Sequence, residues 1–290
     1  MDNHKRILLV DDDAGILELL TASLRNAGQI ETATSAEDAL DCLERTAFDV
    51  VVTDLKMPGM GGLELLRRVG RIRPNARVIV MTADSGPDTV TESLRNHAFT
   101  YLSKPFSITV LQDAIQQALV SDNEGDDIRI LSAKPTWVSL SLRCKMEIAD
   151  RILNFLRAMD VDLTHEEQDR IATAFRELLI NAIEHGGHSD PEKRVDLTYI
   201  RTAGAIIYYL HDPGEGFSFE RIPHAAISND PDDPVAHTEI RDQMGIRPGG
   251  FGLLLTRNVA DELIYSEKGN EVMLVKYLKG RPGLRSLEPE

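Results

Sequence analysis

Ala174-Phe-Arg-Glu-Leu-Leu-Ile-Asn-Ala-Ile-Glu-His-Gly-Gly187 decides how the second half of this chain folds. Placed at about 100° per residue, Ile171, Phe175, Leu178, Leu179 and Ala182 form one apolar stripe, and Glu177, Asn181 and Glu184 line up beside it. The spacing predicts a helix that sets a carboxylate and an amide one turn apart at the edge of a core. A core alone does not call for them, because an unpaired carboxylate among apolar side chains is costly. On an isolated helix these three residues would be an ordinary solvated stripe. Two glycine clusters downstream change that reading: Asp212-Pro-Gly-Glu-Gly-Phe217 and Gly249-Gly-Phe-Gly-Leu-Leu-Leu255.

Together the three stretches resemble the N, G1 and G2 boxes of the GHKL (Bergerat) ATP-binding fold, shared by gyrase, histidine kinases and bacterial anti-sigma-factor serine kinases. The likeness runs over roughly residues 130 to 280, and the three boxes stand in the right order at sensible spacing. It implies that Asn181 holds Mg²⁺ against the ATP phosphates and that Asp212 accepts a hydrogen bond from the adenine amino group. Gly214 and Gly216 would let the backbone approach the nucleotide, and Gly249, Gly250 and Gly252 would present N–H groups to phosphate at a helix N-terminus. The polar, proline-rich stretch from Ser218 to Pro248 is too long for an ordinary loop and fits a nucleotide lid. In the serine-kinase branch, the residue matching Glu177 takes the proton of the attacking hydroxyl.

Around these boxes, Trp137–Arg143 alternates with Val138, Leu140 and Leu142 on one side, which predicts a half-buried strand with Trp137 on its other face. A helix over Lys145–Met159 and the helix starting near Thr164 follow. Arg194–Ile200 and Ala205–His211 pair across Ala203-Gly204, and Glu262–Ser266 and Glu271–Leu278 pair around Lys268-Gly-Asn270. Helices in one layer and a mixed, mainly antiparallel sheet in the other make a two-layer α/β sandwich.

The first half has a different rhythm. Ile7–Val10 runs into Asp11-Asp12-Asp13, Phe48–Thr53 stops at Asp54, Arg77–Met81 stops at Thr82, and Tyr101–Ser103 stops at Lys104-Pro105. Apolar runs alternating with helical patterns predict a doubly wound parallel sheet, which binds ligands outside its strand carboxyl ends. Asp11, Asp12, Asp54, Thr82 and Lys104 therefore converge. Clustered carboxylates repel one another unless a hard cation such as Mg²⁺ sits among them, and a carboxylate opposite Mg²⁺ can attack phosphorus.

From about residue 4 to 121 this half resembles a response-regulator receiver domain, a flavodoxin-like fold with five parallel strands. The resemblance implies Asp11 and Asp12 as the Mg²⁺ pair, with Asp54 and the main-chain carbonyl of Lys56 completing the site. It implies Asp54 in Val-Val-Thr-Asp-Leu-Lys-Met-Pro-Gly as phosphoacceptor, and Thr82, Tyr101 and Lys104 as the switch residues. Asp13 reads as a helix N-cap, and Asn96-His97 as a helix C-terminus, since both residue types tolerate positive φ.

The chain has 290 residues, enough for about two domains. The expected division is a receiver over 1–121, an acidic, glycine-containing linker over 122–130, an ATP-binding kinase domain over 131–281 and a tail over 282–290. A net charge of −15 with no basic run argues against direct nucleic-acid binding. Cys42 and Cys144 lack metal-ligand spacing and read as buried or free thiols, and no apolar run approaches 18 residues. A soluble cytoplasmic protein with no membrane contact is expected.

These readings point to a receiver fused to an anti-sigma-factor-type serine/threonine kinase using ATP and Mg²⁺. A sensor histidine kinase would phosphorylate Asp54. The output would be phosphorylation of an anti-anti-sigma (STAS-like) partner, sequestration of a sigma factor, or both. Both parent families tend to dimerise, so a homodimer is a further expectation. One rival is a trans-acting histidine kinase; it lacks a dimerisation module, since the only histidine from 121 to 170 is His165. The other is an ATP-gated binder that moves no phosphoryl group.

Overall fold

A computed structural model describes residues 5–83, 86–121, 127–216 and 252–278. The chain divides into two compact units: Met1–Gly125 with Asn154–Val161, and Asp126–Leu153 with Asp162–Glu290.

In the first unit, β1 (Arg6–Val10), β2 (Gln29–Ala33), β3 (Val50–Asp54), β4 (Arg77–Thr82) and β5 (Thr100–Ser103) lie in the order β2-β1-β3-β4-β5. Every pairing is parallel. The helices are α1 (Ala14–Ser23), α2 (Ala36–Arg45), α3 (Gly62–Ile72), α4 (Pro87–Arg95) and α5 (Ile108–Val120). The central strands read as apolar runs because both their faces are covered. Ile7, Leu9, Val50, Val52, Ile79 and Met81 pack against Leu17 and Leu20 of α1 and Leu111 and Ile115 of α5. Only β2 escaped the sequence reading. It is an edge strand whose sole buried residue is Ala33, so it carries no apolar run. Asp13 does cap α1, its carboxylate accepting from Gly15 N and Ile16 N, and His97 follows α4 with φ of 58°.

The second unit is built on six strands: β6 (Ile128–Lys134), β7 (Trp137–Arg143), β8 (Arg194–Arg201), β9 (Ala205–His211), β10 (Glu262–Tyr265) and β11 (Glu271–Tyr277). Their order is β10-β11-β9-β8-β7-β6. All five pairings are antiparallel, which corrects the expectation of a mixed sheet. Neighbouring strands reverse at each step, and the β10–β11 hairpin returns alongside β9, so there is no parallel contact among the described residues. The inward row of Val138, Leu140, Leu142, Val195, Leu197, Tyr199, Ile206, Tyr208 and Leu210 is buried, whereas Trp137 on the opposite face is 46% exposed. The described helices of this unit are the part of α6 (Glu147–Met159) up to Leu153, α7 (His165–Asn181) and α8 (Gly252–Val259), the rest of α6 being grouped with the first unit. Phe175 of α7 places its ring 4.8 Å from that of Tyr208, joining helix layer to sheet.

β6 begins at Ile128, inside the stretch 122–130 expected to be linker. Ile128 and Ile130 pair with Leu142 and Leu140 of β7, so this alternation belongs to the sheet. The tail over 282–290 and the expected lid lie outside the described residues. No described helix is long and apolar enough to cross a membrane.

Candidate functional sites

The first site forms where the parallel strands end. Asp11 follows β1, Asp54 closes β3, Thr82 closes β4 and Lys104 follows β5. One carboxylate oxygen from each of Asp11, Asp12 and Asp54 lies within 4.8 Å of the others, an arrangement suited to a hard cation. Asp11 and Asp54 are 1% and 8% exposed, while Asp12 faces solvent. Lys104 Nζ donates to Asp11 Oδ2 at 2.9 Å and to Asp54 Oδ2 at 3.1 Å. Burial alone would lower the ammonium's pKa, but these two carboxylates outweigh it and leave the pKa raised. Asp54 Oδ1 is held by the main-chain N–H groups of Leu55 at 2.6 Å and Lys56 at 3.3 Å.

The turn after Asp54 is closed by a residue the sequence reading passed over. A Cβ on Gly62 would overlap the Asp54 carbonyl oxygen, so α3 can start against β3 only with glycine there. The only trace of this in the sequence is the Gly61-Gly62 pair, whose composition alone does not tell a close backbone approach from an ordinary turn. On the neighbouring strands Thr82 is fully buried and pairs with Ser103, and Tyr101 is fully buried opposite Val80. Within the same unit the Tyr101 ring is 6.2 Å from Phe155, and Asn154 Nδ2 donates to Thr100 Oγ1 at 3.2 Å.

The second site lies at the end of α7. This helix opens with a capping box, Thr164 and Glu167 bonding each other's main chain, so His165 is its exposed first residue, bonded to Gln168. Ile171, Phe175, Leu178, Leu179 and Ala182 are all buried. Glu177 and Asn181 sit half-buried one turn apart. Arg176 turns to Asp150 at 2.8 Å, and Glu177 accepts no hydrogen bond among the described residues. Past Asn181 the helix widens into a π turn over Ala182–Gly186, closed by Gly187 N to the Ala182 carbonyl at 2.8 Å. Such turns concentrate at functional sites. His185 there is exposed, and His188 and Ser189 follow with φ of 58° and 52°.

Asp212, directly after β9, meets this turn. Its Oδ1 accepts from Gly214 N at 2.8 Å. Desolvation raises the carboxyl pKa against the opposing effects of that N–H, His211 and Lys268. Gly214 approaches the Gly186 main chain, and Gly216 adopts φ of 83° against the Lys268 carbonyl. Gly252 opens α8, and fully buried Thr256 of that helix donates to the Ala174 carbonyl of α7 at 3.3 Å. Gly249 and Gly250 lie outside the described residues. Glu177, Asn181, Asp212, Gly214, Gly216 and Gly252 thus all fall within one unit.

Two family models match the chain: the response regulator receiver domain over residues 7–116 and the histidine kinase-like ATPase domain over residues 144–276. Among curated proteins, Sporulation initiation phosphotransferase F of Bacillus subtilis is 39% identical over 117 residues, 40% of this chain and 94% of that protein. Transcriptional regulatory protein GlrR of Escherichia coli is 34% identical over 144 residues, 49% of this chain but only 32% of its own length. Among solved structures, the BeF3-activated DrrB receiver domain shares 31% identity over 41% of this chain and 99% of its own, with a TM-score of 0.39.

Proposed function

The chain belongs to the response-regulator receiver family and joins that receiver to a histidine kinase-like ATPase domain, and on this basis we propose that Asp54 phosphorylation controls an anti-sigma-factor-type serine/threonine kinase. A receiver implies a histidine kinase as phosphodonor. An Asp54 carboxylate oxygen attacks the phosphorus of that kinase's phosphohistidine, the P–N bond breaks, and an acyl phosphate forms. Asp11, Asp12 and Asp54, with the Lys56 carbonyl, would hold Mg²⁺, which screens the charge of the incoming phosphoryl group. Lys104 and the Thr82 hydroxyl are the donors for its oxygens, and buried Tyr101 is the neighbouring switch residue.

In the ATPase domain, a serine or threonine hydroxyl of the partner attacks the γ-phosphorus, its proton passes to Glu177, and ADP leaves. Asn181 would hold Mg²⁺ on the phosphates. Asp212 would accept from the adenine amino group, with Gly214 and Gly216 admitting the nucleotide and Gly249, Gly250 and Gly252 facing phosphate. The partner is an anti-anti-sigma, STAS-like protein, with a sigma factor as the competing ligand.

One observation carries the reading. Glu177 is a half-buried carboxylate one turn before Asn181 whose adjacent guanidinium is committed to Asp150. Among the described residues no group hydrogen-bonds the Glu177 carboxylate, and Arg176 adds only a coulombic attraction, so the carboxylate is available to accept a proton.

The test incubates the full chain with labelled Mg·ATP and an anti-anti-sigma protein, with and without beryllofluoride on Asp54. Acid-stable label on the partner, reduced about 10²–10⁴-fold in Glu177→Ala with ATP affinity retained, supports the kinase. Acid-labile, base-stable label would indicate a histidine kinase instead. Bound ATP without transfer would indicate an ATP-gated binder.

A further inference from the structure

The loop that carries Asp212 is held from two sides by segments whose sequences read as plain turn and helix end. On one side stands the turn of the β10–β11 hairpin. Asp212 N donates to the Asn270 carbonyl at 3.0 Å, Asn270 Nδ2 donates back to the Asp212 carbonyl at 3.3 Å, and Lys268 Nζ donates to the Gly214 carbonyl at 3.1 Å. The Asn270 side chain is well sheltered, the residue being 7% exposed. On the other side, a Cβ placed on Gly186 would overlap the Asp212 carboxylate. Oδ1 of that carboxylate is engaged by Gly214 N, and its second oxygen has no hydrogen bond among the described residues.

We propose that Asn270 and Gly186 are positioning residues for purine readout: Asn270 fixes the main chain of Asp212, and Gly186 leaves room for its carboxylate. Together they set how well the site distinguishes a purine bearing a 6-amino group from one without it. The inference rests on the reading of Asp212 as the adenine acceptor. Its physical basis is the steep loss of a hydrogen bond with distance and angle, so a small displacement of the acceptor removes the discrimination. The two residues act on different parts of Asp212. Asn270→Ala deprives the Asp212 carbonyl of its sheltered donor, whereas Gly186→Ala leaves the hairpin alone and displaces the carboxylate.

The experiment measures equilibrium binding of Mg·ATP and of the triphosphate of purine riboside, which lacks only the 6-amino group, to the full chain and both variants. Wild type is expected to prefer ATP by about tenfold or more, and each variant to lose that factor for ATP while binding the analogue as before. A fold that had merely loosened would weaken both nucleotides together, and that result overturns the proposal. So does a variant that keeps the wild-type preference. A wild type without preference would instead defeat the assignment of Asp212 itself, and this proposal with it. Thermal midpoints are read alongside. Should Asn270→Ala unfold, Gly186→Ala decides alone, because its new methyl meets Asp212 itself, from Oδ1 to Cβ, and so displaces the acceptor directly.

Discussion

At the scale of single residues, the two sites treat charge in opposite ways: the carboxylates around Lys104 favour its charge, whereas the surroundings of Asp212 oppose its own. Asp212 has its carboxyl pKa raised from 3.8 by desolvation, so the folded protein holds its proton to higher pH than the unfolded chain does. The resulting stability is complete below the unfolded value and disappears as pH rises through the folded one. Asp212→Asn, uncharged throughout, should therefore raise the thermal midpoint of nucleotide-free protein at neutral pH by about a few degrees, with the gap closing as pH falls towards 4. The same variant should bind ATP about tenfold or more weakly, because the amide is a poorer acceptor. Scanning calorimetry across pH, with nucleotide titrations, reads both effects. Cys144 is fully buried, and desolvation above all pushes its thiol up to about 11; burial likewise raises Cys42. Neither cysteine should react measurably with a disulfide reagent at pH 7.5 until guanidinium unfolds the chain.

At the scale of elements, the chemistry depends on how helices begin and end. α3 starts where only a glycine lets its first turn pass the Asp54 carbonyl. Gly62→Ala should cost about 1–3 kcal/mol of unfolding free energy by denaturant titration, because the group in the way is backbone and cannot rotate aside. Acceptance of phosphoryl by Asp54 from acetyl phosphate should fall in step. α7 ends differently, widening into its π turn so that Gly186 and Gly187 approach Asp212 and Cys144. The apolar stripe of α7 was legible in Ile171, Phe175, Leu178 and Leu179 because it repeats with the helix. The π turn has no such period. The capping box was equally local, four residues stating their own bonds, whereas β2 was unreadable because an edge strand with one buried residue imposes no alternation.

At the scale of the whole molecule, the chain joins a receiver to an ATPase domain, and the proposed function requires that one govern the other. Asp54→Asn in the full chain should abolish any response of ATP-dependent phosphotransfer to acetyl phosphate. ATP affinity in its absence should stay within about twofold, because the nucleotide residues belong to the other unit. A variant that still responds would move the phosphoacceptor elsewhere. Radiolabel transfer and nucleotide titration on the same preparations check both halves of this prediction.

The sequence by itself determined whatever is written in short range or in strong periodicity. It specified the parallel strands ending in Asp11, Asp54, Thr82 and Lys104, the helix that presents Glu177 and Asn181, and the glycine-rich loop after Asp212. Local propensity, apolar period and turn chemistry suffice for these, since each acts over a few residues. Tertiary structure alone decided which distant segments meet. Lys104 meets Asp11 and Asp54 as the strand pattern predicts, but Asn270 lies 58 positions from Asp212 and no periodicity brings them together. That pair is fixed by sheet order and register, which place β11 beside β9. Nothing in the residues flanking either partner records that choice.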